Sequence, residues 1–175
     1  MKMVKLSKAK AIFFCLIVFY PGCKETEGNR EFEKTERSEN RFFNFEIGGV
    51  PLRVEVAALP EERAKGLMFR DSMGLNEGMI FIFAEGTSQR FWMKNTRIPL
   101  DIGYISTTGV LLEIHKAKPL DISGVPSRSN DIKFVLELNA GAYKKLGIPI
   151  GTRISLREVS KLLNRCGLNP KDYNL

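Results

Sequence analysis

Apolar and polar residues alternate from Phe43: Phe43, Phe45 and Ile47 are separated by Asn44 and Glu46, and after Gly48-Gly49 the alternation resumes at Leu52, Val54 and Val56. Period-two spacing puts such residues on one face of a strand, and a glycine pair between two such runs predicts a β-hairpin. Pro60 with Glu61 and Glu62 has the composition of a first helical turn, and Gly66 is placed to end that helix after Lys65. Met79–Phe83 and Gln89–Met93 are short apolar runs bounded by Gly, Thr or Ser, and they predict strands buried on at least one face. Leu100, Ile102 and Tyr104 share one face of the next predicted strand, which leaves Asp101, Gly103 and Ile105 on the other.

Thr107-Thr108-Gly109 predicts a turn into a strand over Val110–Ala117, Pro119–Asn130 reads as a loop, and Ile132–Leu138 reads as a strand. Asn139 is placed to cap a short helix over Ala140–Leu146, ended by Gly147, ahead of a last strand through Ile154 and Leu156. Val159, Leu162, Leu163 and Cys166 then fall at helical spacing, and Gly167 with Pro170 stops the run. Such a helix is expected to cover an open face of the sheet; a scaffold that recruits a partner through it is the alternative. The sum is a mainly β domain, a compact sandwich or barrel of about seven short strands with two small helices and an added C-terminal helix.

The N-terminus has a different texture. Lys2, Lys5, Lys8 and Lys10 precede the apolar run Ala11–Tyr20, which Pro21-Gly22-Cys23 closes. That layout predicts a secretory signal over residues 1–22, because a run of roughly ten residues is half of what crosses a bilayer. Gly22-Cys23 supplies the small residue and cysteine of a bacterial lipoprotein processing site, although Tyr20 and Pro21 depart from the residues usual before it. Lipidation at Cys23 is therefore expected, with an ordinary secretory signal or an uncleaved anchor as alternatives. The chain is read as exported and lipid-anchored to a membrane of the bacterial cell envelope. Lys24–Arg41 is charged and polar with Phe32 its only large apolar residue, so residues 23–41 read as a lipidated cysteine and flexible tether. With Cys15 in the signal and Cys23 acylated, no intrachain disulfide is expected in the mature chain.

Charge narrows the partners. The chain has 27 Lys and Arg against 20 Asp and Glu, a formal +7, but the signal takes 4 lysines with it, leaving 23 basic groups and an excess of +3. No basic cluster with interleaved aromatics remains, so nucleic acid is not an expected partner.

Three stretches carry a family resemblance: Gly66-Leu67-Met68-Phe69-Arg70, then Phe91-Trp92-Met93-Lys94-Asn95-Thr96 with Pro99-Leu100-Asp101, and Leu136-Glu137-Leu138-Asn139-Ala140-Gly141. Together they resemble the prokaryotic domain of unknown function 192, over roughly Val54 to Ser155. The resemblance implies no established substrate, and the C-terminal extension over residues 157–175 lies outside it.

Chemistry must come from few residues. His115 is the sole histidine and stands in a predicted strand with no nucleophile elbow elsewhere, which disfavours Ser/His/Asp catalysis, a Cys/His pair and a zinc site. Met68, Met73, Met79 and Met93 lack the regular spacing of a copper site and read as core residues; no metal or cofactor is expected. Ligand-binding candidates are Arg63, Arg70, Trp92, Asn95, Thr96 and Asp101, converging on one rim of the sheet, with Trp92 an apolar platform and the others orienting a small ligand, a glycan or an envelope protein. The bland alternative is that Asn95 and Thr96 satisfy turn groups, Asp101 accepts their hydrogen bonds and Trp92 fills the core. Asp101 or Glu137 would then partner an arginine. The sequence thus reads as a non-catalytic binding module; the catalytic alternative is a hydrolase of envelope polysaccharide using Asp101 and Glu137 as paired carboxylates.

Overall fold

A computed structural model describes residues 42–175; the expected signal segment, Cys23 and the tether lie outside the described residues. The glycine pair does make a two-residue turn. Strands β1 (Phe43–Ile47) and β2 (Val50–Ala57) pair antiparallel with Ile47 opposite Val50. Gly48 and Gly49 sit at φ 57° and 84°, the left-handed conformations that this turn requires and that side chains resist.

Helix α1 (Pro60–Lys65) follows, with the Glu62 carboxylate accepting the N–H groups of Ala58 at 2.9 Å and Leu59 at 2.8 Å. It carries the chain back so that β3 (Glu77–Thr87) pairs parallel to β2, from Arg53 opposite Glu77 to Ala57 opposite Phe81. A parallel pair needs such a crossover. Strands β4 (Arg90–Phe91) and β7 (Val125–Pro126) form a small separate ribbon, while β5 (Leu100–Ser106), β6 (Leu111–Ala117) and β8 (Ile132–Asn139) complete the main sheet. The main sheet is mixed, with order β1-β2-β3-β8-β5-β6. It is sandwich-like and does not close into a barrel.

Four local expectations are corrected. Gln89–Met93 gives only the two-residue β4, because the chain turns sharply after it with Asn95 at φ 55°. Helix α2 spans only Ala142–Lys145 and begins after Gly141; Asn139 stays in β8 and its side chain donates to the carbonyls of Met73 at 2.7 Å and Gly74 at 2.9 Å. No last strand forms through Ile154 and Leu156: Ile47–Ile154 and Val110–Arg153 are isolated bridges. Ser155 instead caps helix α3 (Leu156–Arg165), its Oγ accepting the Glu158 N–H at 3.4 Å.

Both faces of the sheet are covered. One core joins Phe43, Ile47, Leu52, Ile82, Phe134 and Leu136 to α2, to α3 and to a final 3-10 turn over Pro170–Tyr173. Val159, Leu162 and Leu163 of α3 are completely or almost completely buried there. The apolar stripe of that helix is occupied by its own domain, so the partner-recruiting alternative loses its surface. The second core, on the opposite face, joins Met79, Phe81, Leu100, Ile102, Tyr104 and Val135 to the covering residues Leu67, Met93 and Ile98.

Candidate ligand site on the Glu137 face

Register aligns five residues across the second face: Glu55 of β2 opposite Met79 of β3, Met79 opposite Glu137 of β8, Glu137 opposite Ile102 of β5, and Ile102 opposite His115 of β6. Residues opposite one another on paired strands share a face, so the Glu137 carboxyl group stands between the apolar side chains of Met79 and Ile102. Glu137 is 4% exposed and has no hydrogen-bond partner among the described residues. Asp101 Oδ1 is the only side-chain oxygen there that is both partnerless and sealed from water, so the residual exposure of Glu137 lies at its carboxyl oxygens. Desolvation pushes its pKa up to about 8. At neutral pH the group is therefore mainly a neutral acid, able to donate as well as accept.

Polar company comes from β5 and β6. His115 Nε2 lies 2.7 Å from Glu113 Oε2, and the His115 ring meets the Tyr104 ring edge-on at 5.4 Å between centroids. Glu113 also accepts the N–H groups of Ser129 at 2.8 Å and Arg128 at 3.0 Å. Burial opposes its charge, but these hydrogen bonds, that of His115 first among them, hold its carboxyl below the usual range. Tyr104 donates to the Val125 carbonyl, and burial, then the neighbouring Glu137 and Glu113 charges, drive its hydroxyl pKa upward.

The predicted site residues divide among three surroundings. Arg70 pairs with Glu55, on the same face as Glu137 and at the end of the row. Its expected partners, Asp101 or Glu137, are not the ones it meets. One terminal nitrogen of the guanidinium is engaged; the remaining donors have no partner among the described residues. Arg63 is occupied by structure, donating to the carbonyls of Ala58 and, at 3.2 Å, Ile82, with its guanidinium over the Phe83 ring.

Asn95 and Thr96 belong to a turn closed by Thr96 N–H on the Met93 carbonyl at 3.0 Å. Trp92 neither fills the core nor faces Glu137: Met93 takes the buried side of this segment, and Trp92 is 51% exposed with Lys94 Nζ 5.3 Å from its ring centroid. Asp101 faces the other side of the sheet, where Oδ2 accepts the Gly141 N–H at 2.8 Å. It bonds neither Asn95 nor Thr96. The six-residue rim is therefore not one site, and a catalytic pair of Asp101 and Glu137 is divided by the sheet itself.

Sequence reasoning passed over Glu55 and the Glu113–His115 pair. The signal for His115 was available, because Glu113 and His115 share a strand face at spacing two. Glu55 could not be found without the parallel pairing of β2 and β3. Among the described residues, no three His, Cys, Asp or Glu side chains gather as a metal-binding group.

The three stretches singled out in the sequence meet in space. Phe69 N–H donates to the Asn95 carbonyl at 2.7 Å, Asn139 holds the 73–74 backbone, and Asp101 holds Gly141. This frame matches a known one: residues 43–156 match the family model DUF192, described as "Uncharacterized ACR", and the chain belongs to that family. Among solved structures it is similar to a protein from Sinorhizobium meliloti 1021 described as a candidate transcription regulator, with 42% identity and a TM-score of 0.57, covering 60% of this chain and 81% of that one. It is also similar to a protein of unknown function from Novosphingobium aromaticivorans DSM 12444, with 35% identity and a TM-score of 0.63, covering 67% of this chain and 87% of that one. A search of curated proteins gave no match.

Proposed function

We propose that the domain binds a small polar ligand on the Glu137 face without transforming it, and that it does so at the cell envelope, carried by a lipid-modified Cys23. The observation that supports this reading is the carboxyl of Glu137, more than nine-tenths buried and without a hydrogen-bond partner among the described residues. A buried polar group left unpaired is costly and is met mostly where a ligand or water completes it. As a neutral acid, Glu137 suits a carbonyl, amide or sugar hydroxyl. Glu55, the residue that holds Arg70, lies two strands from Glu137, about 10 Å by the usual strand spacing, and the other guanidinium donors of Arg70 are unengaged among the described residues. An anionic or strongly polar group at the far end of the ligand would meet it there. Nucleic acid is not proposed, since the mature chain's excess of basic groups is small and no basic stripe with stacking aromatics lines this face.

Native mass spectrometry of the protein purified from its own envelope tests the reading. Wild type and Asp101→Asn, altered on the opposite face, should carry a non-covalent adduct of one mass that Glu137→Leu and Arg70→Ala lose. A clean mass in the wild type, or an adduct indifferent to Glu137→Leu, would overturn it.

A further inference from the structure

Outside the proposed ligand site, large apolar side chains gather on one exposed surface. Phe69 is 58% exposed, Trp92 51%, Leu120 60% and Ile122 71%. They come from three loops, yet short backbone bonds join all three through the 92–96 segment. Phe69 N–H donates to Asn95 O at 2.7 Å, Leu120 N–H to Thr96 O at 3.0 Å, and Met93 N–H to Asp121 O at 2.8 Å. Trp92 adjoins Met93, and Ile122 adjoins Asp121. Phe69 and Leu120 are held at φ 65° and 61°, a region that bulky side chains avoid. The fold thus keeps two large hydrophobes in unfavourable backbone conformations and leaves both facing water.

The surrounding charge says what fits there. Arg90, Lys94, Arg97 and Lys118 are exposed on the same segments. The acidic residues on these loops, Asp71 and Asp121, are engaged locally: Asp71 pairs with Arg97 at 2.8 Å, and Asp121 accepts the Ser123 N–H at 2.8 Å. Arg90 also donates to the Ser123 carbonyl, tying the third loop to the second. Apolar and aromatic tips on segments that also carry Arg90 and Lys94, neither paired with a carboxylate among the described residues, complement a bilayer surface with anionic headgroups, into which Trp, Leu and Ile can enter while Lys and Arg reach phosphates. An acidic protein partner would match the cations alone, whereas a bilayer takes both the cations and the apolar tips.

We propose that this surface docks the domain directly on an anionic lipid bilayer through Phe69, Trp92, Leu120 and Ile122. The proposal does not rest on the Glu137 ligand site, whose carboxyl stands on β8 of the main sheet.

Trp92 is the chain's single tryptophan, so its emission reports this surface alone. The full chain is mixed with phosphatidylcholine vesicles with and without phosphatidylglycerol, each made also with brominated acyl chains. With phosphatidylglycerol present, Trp92 emission should move to shorter wavelength and be quenched by bromine. Both effects should fall several-fold in phosphatidylcholine alone, in high salt, and in the doubly substituted Leu120→Ser, Ile122→Ser protein, whose changes are at exposed positions. Unchanged Trp92 emission while the chain sediments with vesicles would show attachment elsewhere and overturn the proposal. So would a blue shift that grows with protein concentration without lipid, which would assign the surface to a second copy of the chain.

Discussion

Asp101 and Glu137 are neighbours on paired strands that point to opposite sides of the sheet: Glu137 is opposite Ile102, and Asp101 is opposite Leu138. One carboxyl is buried over the second core without a partner among the described residues, and the other anchors Gly141 over the first. Their separation by a sheet, rather than by distance, gives them different roles and different responses to mutation.

Glu137 predicts an unusual pH dependence of stability. Its pKa rises from 4.5 in a solvated chain to about 8 in the fold. Between those values the folded protein holds a proton that the unfolded chain has released, so this contribution is complete below about pH 4.5, declines as pH rises and is gone above about pH 8. The slope approaches 1.4 kcal/mol per pH unit for a single group. Urea unfolding from pH 5 to 9 should show it in the wild type and not in Glu137→Gln, which should be the more stable protein at the alkaline end.

Glu113 acts in the opposite direction. Its carboxyl is held below the usual range, so its contribution is present above the unfolded pKa and lost as pH falls through the folded one. Acidification should release the Arg128 and Ser129 N–H groups before the sheet opens. Protection of those two amides, relative to intrinsic exchange at the same pH, should fall at low pH in the wild type and already be low at neutral pH in Glu113→Ala.

Asp101→Ala should cost about 1–3 kcal/mol, the range for a buried hydrogen bond broken on one side. The loss should be local, because Asp101 fixes the turn before α2. Exchange at Gly141 and the α2 amides should rise more than exchange within β8. Equal acceleration in both would show that the contact is not a local clamp.

Gly103 admits no side chain. A Cβ there would stand 2.0 Å from Tyr143 Oη and 3.0 Å from Leu111 Cδ1, while Tyr143 is fixed by its 2.7 Å bond to the Leu136 carbonyl. Overpacking of this kind costs roughly 1–3 kcal/mol. Thermal unfolding of Gly103→Ala should show it, with partial recovery in Gly103→Ala, Tyr143→Phe, since removing the hydroxyl relieves only the nearest contact.

All of the C-terminal helix after Leu156 lies outside the residues that match the family model, yet Leu163 is fully buried. Leu163→Ala should therefore cost about 2–5 kcal/mol, as in other cores. A change within experimental error in chemical denaturation would mean that α3 is a dispensable addition.

Local features of this fold are readable from the chain. The glycine pair marks the β1–β2 turn, alternation orients Asp101 away from Leu100, and helical spacing in the tail finds Val159, Leu162 and Leu163. Non-local features are not. Nothing near Glu137 in sequence says that β8 inserts between β3 and β5, and so nothing says that Glu137 lies in line with Glu55 and His115. Trp92 illustrates a different limit: the alternation of Phe91 and Met93 already put it on the other side, but an aromatic ring suits a core, a pocket or an outer surface equally well. Leu156 fails as a strand residue because Ser155 caps a helix at that point, and the cap outweighs two apolar residues at strand spacing.

The strand order also sets a sequence of events. Synthesis makes β1, β2 and β3 first and β5 with β6 next, two sets that share no pairing of their own. Each keeps an open edge until residues 132–139 emerge and zip them together. The central strand is thus the last of the sheet to be made, and until it arrives both halves are exposed templates for mispairing. A chain halted before Ile132 holds most of the strands and none of the joint.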